Sequence, residues 1–429
     1  MTTLLLRGGR VVDPSQNLDD VADLLIVDDK IAALGRSLGA SGGEIVDVSG
    51  QVVAPGLVDV HVHLREPGRE DVETVASGAR AAAAGGFTSV CAMPNTDPVT
   101  DNQAAVGFIV KQGAAAGAAR VYPIGAITLG QKGEHLAEFG ELVHAGAVGV
   151  SDDGHPVVSS HIMRTALEYA RTFGIPVADH CEDPALFAGG AMHEGAVSTR
   201  LGLKGIPSAT EEIMVARNSI LAELTGGHVH LQHISARGSV ELIRRAKDKG
   251  IQVTAEATPH HFTLTDAACE GFDTNAKMNP PLREAADVAA VREGLKDGTL
   301  DVIATDHAPH HYEAKERDFD DAPFGVVGLE TALGLGLTEL VGNRILTLSE
   351  LIARMSTVPA RVYHLPAGTL TRGAAADVVV FDPQAAWTVT PEKFLSKSHN
   401  TPFAGRELVG RVTRTIVGGR TVFEADTRR

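Results

Sequence analysis

Only three cysteines occur in 429 residues, Cys91, Cys181 and Cys269, an odd number at wide spacing. That argues against a disulfide framework and for a reducing compartment. Long apolar runs are missing too. No uncharged stretch approaches the ~18 residues a membrane-spanning helix needs. The run Leu4–Leu6 is too short for a signal peptide, so a cytoplasmic location is expected. Positive charge is short: 38 Lys and Arg face 54 Asp and Glu, a formal net charge of −16. Such a surface disfavours nucleic acid and anionic membranes as partners, and any anionic ligand must be held by local cations. No Gly-x-Gly-x-x-Gly follows a strand pattern, so nothing supports a dinucleotide site.

What is present is a globular composition, 44% hydrophobic and 21% charged, with 46 glycines and 18 histidines. Residues 1–54 read as short strands, with Val27-Asp28-Asp29 as a turn, and so do residues 366–429, where Gly418-Gly419 marks a hairpin. Neither end suffices alone, so together they are expected to build one small β-sandwich domain. The middle, 55–365, alternates strand and helix patterns. Its eight strands are expected at 58–63, 89–93, 121–127, 147–151, 175–180, 228–233, 251–257 and 301–305, with helices such as 72–84, 159–173, 208–224 and 239–249 between them. Eight such units make the fold class α/β, a catalytic (β/α)8 barrel with a terminal β-sandwich; an open doubly wound sheet is the alternative architecture.

The first strand carries His61 and His63. Side chains two apart on a strand share a face, as two ligands of one metal must. The fourth strand runs into Asp152-Asp153, the fifth ends at His180, the sixth at His233 and the eighth at Asp306. A barrel gathers the carboxyl ends of its strands around one mouth. Four histidines and two aspartates therefore meet, enough for two divalent metals sharing a carboxylate. Imidazole and carboxylate without thiolate favour Zn²⁺, with Mn²⁺ or Co²⁺ as substitutes. Arg65, two residues past His63, reaches beyond the metal towards an anionic group. His260 and His261 are expected behind the ligands. His135, His144, His155, His161, His193 and His364 are expected at the surface or in loops.

These residues resemble a known family. Asp59-Val60-His61-Val62-His63-Leu64-Arg65-Glu66-Pro67-Gly68 and Ala304-Thr305-Asp306-His307-Ala308-Pro309-His310, with Lys315 five residues on, resemble the two signatures of dihydroorotases, in the amidohydrolase superfamily. Met93-Pro94-Asn95-Thr96, Ser151-Asp152-Asp153-Gly154 and Met278-Asn279-Pro280-Pro281-Leu282-Arg283 fit the longer bacterial type I form, and the resemblance spans nearly the whole chain. It implies His61, His63, Asp153, His180, His233 and Asp306 as ligands of two zinc ions bridged by Asp153. Many relatives bridge with a carboxylated lysine, but no lysine stands in the fourth-strand segment. The resemblance also implies substrate contacts from His63, Arg65, Asn95, Asn279, His310 and the Phe324-Gly325 pair.

The implied reaction is reversible conversion of (S)-dihydroorotate and water to N-carbamoyl-L-aspartate, a step of pyrimidine synthesis. Divalent metal lowers the pKa of water to about 7 and polarises the amide carbonyl. Asp306 is the expected proton shuttle, and Arg65 offers a bidentate fork to the substrate carboxylate. The segments 152–160 and 307–325 border the mouth as candidate lids. A hydantoinase or allantoinase would share the metals without needing that cation. A third reading is an inactive scaffold for aspartate transcarbamoylase; all six ligand positions are present, which argues against it. A homodimer, or binding to that transcarbamoylase, is compatible with activity.

Overall fold

The computed structural model describes residues 2–40 and 42–425; Met1, Ser41 and residues 426–429, which fall in the expected terminal β-domain, lie outside the described residues. In the middle of the chain, eight parallel strands form a ring. Leu57–Val62, Phe87–Ala92 and Arg120–Pro123 make one set. Val150–Ser151, Val177–Asp179, Val229–Leu231, Val253–Ala257 and Val302–Ile303 make the other. Two parallel bridges, Gly125 to Val150 and Val62 to His307, join the sets and close the barrel.

Each strand overlaps an expected one, but most stop sooner at the carboxyl end. His63, His180, His233 and Asp306 all lie just past the last paired residue. The backbone leaves the ladder there, so these side chains point into the mouth and not into a neighbouring strand. Helices on the outside start and stop where local chemistry dictates. Thr74 caps Val75–Ala84 by accepting from Ser77 N, and Ser77 returns the bond to Thr74 N. Gly174 and Gly226 end Ser160–Phe173 and Ala209–Thr225 in left-handed backbone.

The two chain ends meet in one eight-stranded sheet. Its order runs Arg420–Glu424, Glu407–Val417, Val378–Thr388, Val52–Pro55, Thr3–Asp13, Leu18–Val27 and Lys30–Gly35, with Glu44–Asp47 paired to Thr3–Asp13. The sheet curls until its edge returns: Gly373 N donates to Ile31 O at 2.8 Å and Ile31 N to Ala374 O at 3.0 Å, at the entry to Val378–Thr388. Alternation sets its two faces. Val378 and Val380 join Leu6, Leu24, Ile26 and Ile416 in an inner core. Val379 and Phe381 join Val12, Val52 and Leu408 against the barrel helices. Among the described residues, no helix is long and apolar enough to cross a membrane.

Candidate metal centre

Three residues at the mouth sit in left-handed backbone without being glycine: Arg65 (φ 61°), His233 (φ 35°) and Asp306 (φ 49°). Each such residue costs on the order of 1–3 kcal/mol and persists only where its surroundings hold it. Glu256 accepts from His233 N at 3.1 Å. Asp59, fully buried, accepts from His61 N and Thr305 N, both at 3.1 Å. His307 N donates to Thr305 Oγ1, and its backbone bridges Val62 on one side and Val326 on the other.

Asp153 stands at the centre. Its Oδ1 lies 3.5 Å from His61 Nε2, His180 Nδ1 and His233 Nε2, and its Oδ2 3.3 Å from His63 Nε2. Asp306 Oδ1 lies 3.1 Å from His63 Nε2 and 3.5 Å from His61 Nε2. His180 Nδ1 and His233 Nε2 are 2.9 Å apart; two nitrogens on one tetrahedral zinc sit about 3.3 Å apart at bond lengths of about 2.0 Å. His61 Nε2 and Asp153 Oδ1 are buried without any hydrogen-bond partner. A buried polar atom left unpaired is costly. A divalent cation among these nitrogens and oxygens removes that cost, so the residues present fit one. Three overlapping ligand groups are available: His61, His63 and Asp153; Asp153, His180 and His233; His61, His233 and Asp306.

The charges are mutually supporting. Burial raises the pKa of Asp153, but His61 and the adjacent His180 and His233 rings hold it well below the usual carboxylate range. Burial likewise opposes charge on Asp306, and His61 and His63 overcome it, keeping that group ionised. On His61, burial disfavours the cation while Asp153, Glu256 and Asp306 raise its pKa well above the ordinary value. Asp152 turns away: it accepts from Ile127 N at 2.8 Å, Thr128 N at 3.1 Å and the Thr128 hydroxyl, so of the paired aspartates only Asp153 enters the cluster.

The remaining expected residues ring the mouth. Asn95 Oδ1 lies 2.8 Å from His63 Nδ1, which fixes the histidine ring and leaves the Asn95 amide nitrogen to donate elsewhere. Arg65 is half-buried and donates from Nε to Pro309 O at 3.2 Å, with no carboxylate in ion-pair range among the described residues. Asn279 Nδ2 donates to Glu182 Oε2 at 2.7 Å and lies 3.3 Å from His180 Nε2. His310 is half-buried beside two cations. Burial first, then Arg65 and Lys315, push its pKa down to about 2, and its Nε2 pairs with Phe324 O at 2.7 Å. It is therefore neutral, and its free Nδ1 is an acceptor. The Gly325 peptide is engaged internally, its N–H donating to Lys277 O and its carbonyl accepting from Asn400 Nδ2. Gly325 adopts φ 140°, and a Cβ there would come 2.8 Å from His310 Nε2.

Segment 307–325 is pinned and forms part of the wall. Lys315 Nζ donates to the carbonyls of Thr274, Lys277 and Pro323, and Lys277 Nζ to those of Phe319 and Asp320. His193, expected at the surface, is instead buried: the end of the Met278–Arg283 motif turns inward, and Arg283 Nη1 reaches His193 Nδ1 at 3.2 Å. Sequence reading missed Glu256, 2.6 Å from His61 Nδ1, and Asn400, which reaches in from beyond the barrel. Glu256 carries a signal: a carboxylate inside a strand buried on both faces needs partners. Asn400 carries none.

A family model described as Dihydro-orotase-like matches residues 50–239. The dihydroorotase of Pelotomaculum thermopropionicum is 58% identical over 421 residues, 98% of either chain. This chain belongs to the dihydroorotase family. The dihydroorotase of Geobacter metallireducens agrees at 53% over 422 residues, 98% of this chain and 99% of that one. Among solved structures, an L-hydantoinase (dihydropyrimidinase) from Arthrobacter aurescens superposes with TM-score 0.88 at 26% identity, covering 99% of this chain and 96% of that one. A dihydropyrimidinase from Brevibacillus agri gives 0.85 at 23%, covering 99% and 95%, a likeness of fold. Family membership thus lies with the dihydroorotases, and the barrel with its flanking sheet is shared with the hydantoinases.

Proposed function

We propose that this chain is a metal-dependent dihydroorotase of residues 55–365, flanked by the terminal sheet. It opens the ring of (S)-dihydroorotate with water to give N-carbamoyl-L-aspartate and closes it in the reverse direction. The observation that carries the reading is the buried set of four imidazoles and two carboxylates with His61 Nε2 and Asp153 Oδ1 unpaired, next to a guanidinium that has no carboxylate partner among the described residues. His61, His63, Asp153, His180, His233 and Asp306 would hold two Zn²⁺ ions, with Asp153 between them. Bound there, the metal supplies water of lowered pKa and polarises the ring carbonyl.

The chain's own groups do the rest. Arg65 grips the substrate carboxylate with a planar fork. Asn95, its oxygen engaged by His63, donates its amide hydrogens to the same carboxylate. Asn279, its amide engaged by Glu182, presents its carbonyl oxygen, and His310 presents Nδ1; both accept from substrate N–H groups. Asp306 is ionised. It takes the proton of the attacking water and returns it to the ring nitrogen as the C–N bond breaks. Ring closure runs through the same groups in reverse.

Absorbance-monitored turnover of dihydroorotate by purified chain, with metal content measured per chain, tests the reading; hydantoin and allantoin are run in parallel. Dihydroorotate is expected to be the preferred substrate. Preference for hydantoin or allantoin would keep the chemistry and replace the substrate.

A further inference from the structure

A polar line runs from His61 through the barrel interior, and the groups behind His61 have no part in the reaction above. From the mouth inward, His61 Nδ1 lies 2.6 Å from Glu256 Oε1, and Glu256 Oε2 lies 3.1 Å from His230 Nε2. His230 Nδ1 lies 2.9 Å from Thr254 Oγ1, which lies 2.8 Å from His228 Nε2. His61, Glu256 and His230 are fully buried. His228 is half-buried and lines a cleft of about 550 Å³ with Lys247, Asp301 and His364. The pleat makes the line possible. His230 and Thr254 are register partners on adjacent parallel strands, and residues two apart share the inward face.

For a ring at His230 that carries a single hydrogen, the hydrogens along this line have one consistent direction. A carboxylate only accepts, so His61 must present Nδ1–H and His230 must present Nε2–H to Glu256. With that single hydrogen on Nε2, His230 has a lone pair on Nδ1, which the Thr254 hydroxyl fills as donor. That hydroxyl accepts in turn from His228 Nε2–H. Gln232 also approaches His61 Nδ1, its amide nitrogen at 3.3 Å, but it is a donor, and Glu256 is nearer and charged. Because Glu256 holds the Nδ1 hydrogen of His61, Nε2 is the ring nitrogen that gives up its hydrogen and offers a lone pair when a cation binds, the form a metal requires. Glu256 also holds His233 N, so one carboxylate orients two of the proposed ligands.

The geometry points to a tautomer relay: Thr254 and His228, deep in and beneath the barrel, are positioning residues that lock His61 with its Nε2 lone pair aimed at the cation site. This rests on His61 being a ligand, as proposed above. Thr254→Val keeps the shape and removes the hydroxyl; Thr254→Ser keeps the hydroxyl. Zn²⁺ or Co²⁺ affinity is measured by competition with a chelator, and histidine tautomers by ¹⁵N-resolved NMR of the metal-free chain. Thr254→Val is expected to bind metal on the order of tenfold more weakly and to show His230 as a mixture of tautomers. Thr254→Ser is expected to match the parent in both. The relay is overturned if Thr254→Val keeps parental affinity and a single His230 tautomer, or if Thr254→Ser loses as much as Thr254→Val, which would mean packing alone. Should Thr254→Val fail to fold, His228→Ala, at the solvent end, carries the same two measurements. If the parent chain itself binds no metal, the functional reading fails separately, and the tautomers of the metal-free chain still decide the relay.

Discussion

The terminal sheet and the barrel mouth solve opposite problems with the same twenty residue types. Among the described residues of the sheet and its connections, left-handed backbone falls outside the strands on Asn17, Asp28, Ser37 and glycines, and inside the strands on the glycines Gly8 and Gly410. Among the described residues of the sheet strands, no buried side-chain nitrogen or oxygen lacks a partner. At the mouth, left-handed backbone falls on Arg65, His233 and Asp306, and the unpaired buried atoms include His61 Nε2, Asp153 Oδ1 and His233 Nδ1. The sheet is locally consistent and the mouth is locally frustrated. Frustration concentrated where side chains converge is the physical mark of a working site on a stable scaffold.

Substitutions at the two regions should therefore separate activity from stability. Asp306→Asn retains a residue type that tolerates left-handed backbone and removes the proton acceptor. Turnover should fall roughly a thousandfold, within the range general-base removal produces, while the chain still folds. More than a few per cent of parental turnover in metal-replete protein would break the contrast. In the sheet, Gly419 sits at φ 73° in the turn between Glu407–Val417 and Arg420–Glu424, and a Cβ there would fall 1.8 Å from Asp28 O. Gly419→Ala should cost about 3 kcal/mol of stability, read as a lower denaturation midpoint, with kcat unchanged in whatever fraction folds. A lowered kcat in folded protein would mean the sheet takes part in the chemistry. Arg65→Lys loses the bidentate fork. KM for dihydroorotate should rise by about tenfold, worth ~1.4 kcal/mol, with metal content per chain unchanged; an unaltered KM would remove Arg65 from the carboxylate site.

The barrel was legible in the sequence because its strands are short apolar runs bounded by helical periodicity, and all eight were placed. Their ends were less legible, since departure from the ladder at His63 or His233 depends on who pairs with whom and not on propensity. Residues of the centre were legible because metal chemistry restricts ligands to a few types at strand ends. The groups that hold them were not. Glu256 has to be a particular strand's inward residue beside His61, a relation set by barrel closure. Asn400 binds Ala308 O and Gly325 O from a segment remote in sequence. The neutral state of His310 was not legible either, because it follows from burial first and then from the proximity of Arg65 and Lys315 in space.

The seam between the two regions gives the smallest effect and the sharpest boundary. Glu330 lies where the barrel meets the C-terminal segment. It accepts from Leu395 N at 2.9 Å and Ser396 N at 3.1 Å and lines a cleft of about 470 Å³ with Trp387 and Lys393. Burial raises its pKa to about 7 despite those two bonds. The unfolded chain ionises it near the ordinary 4.5. Between those values the folded chain holds a proton that the unfolded chain has released. Stability from this group is therefore full below pH 4.5 and is lost as pH rises towards 7. Glu330→Gln removes the titration. Unfolding free energy of the parent should decline relative to the variant across that window, more gently than the ~1.4 kcal/mol per pH unit ceiling for one group, because the cleft admits solvent. Parallel pH curves would place Glu330 with the ordinary surface carboxylates. A drop in turnover in Glu330→Gln, with stability matched, would extend the frustrated region from the mouth out to the seam.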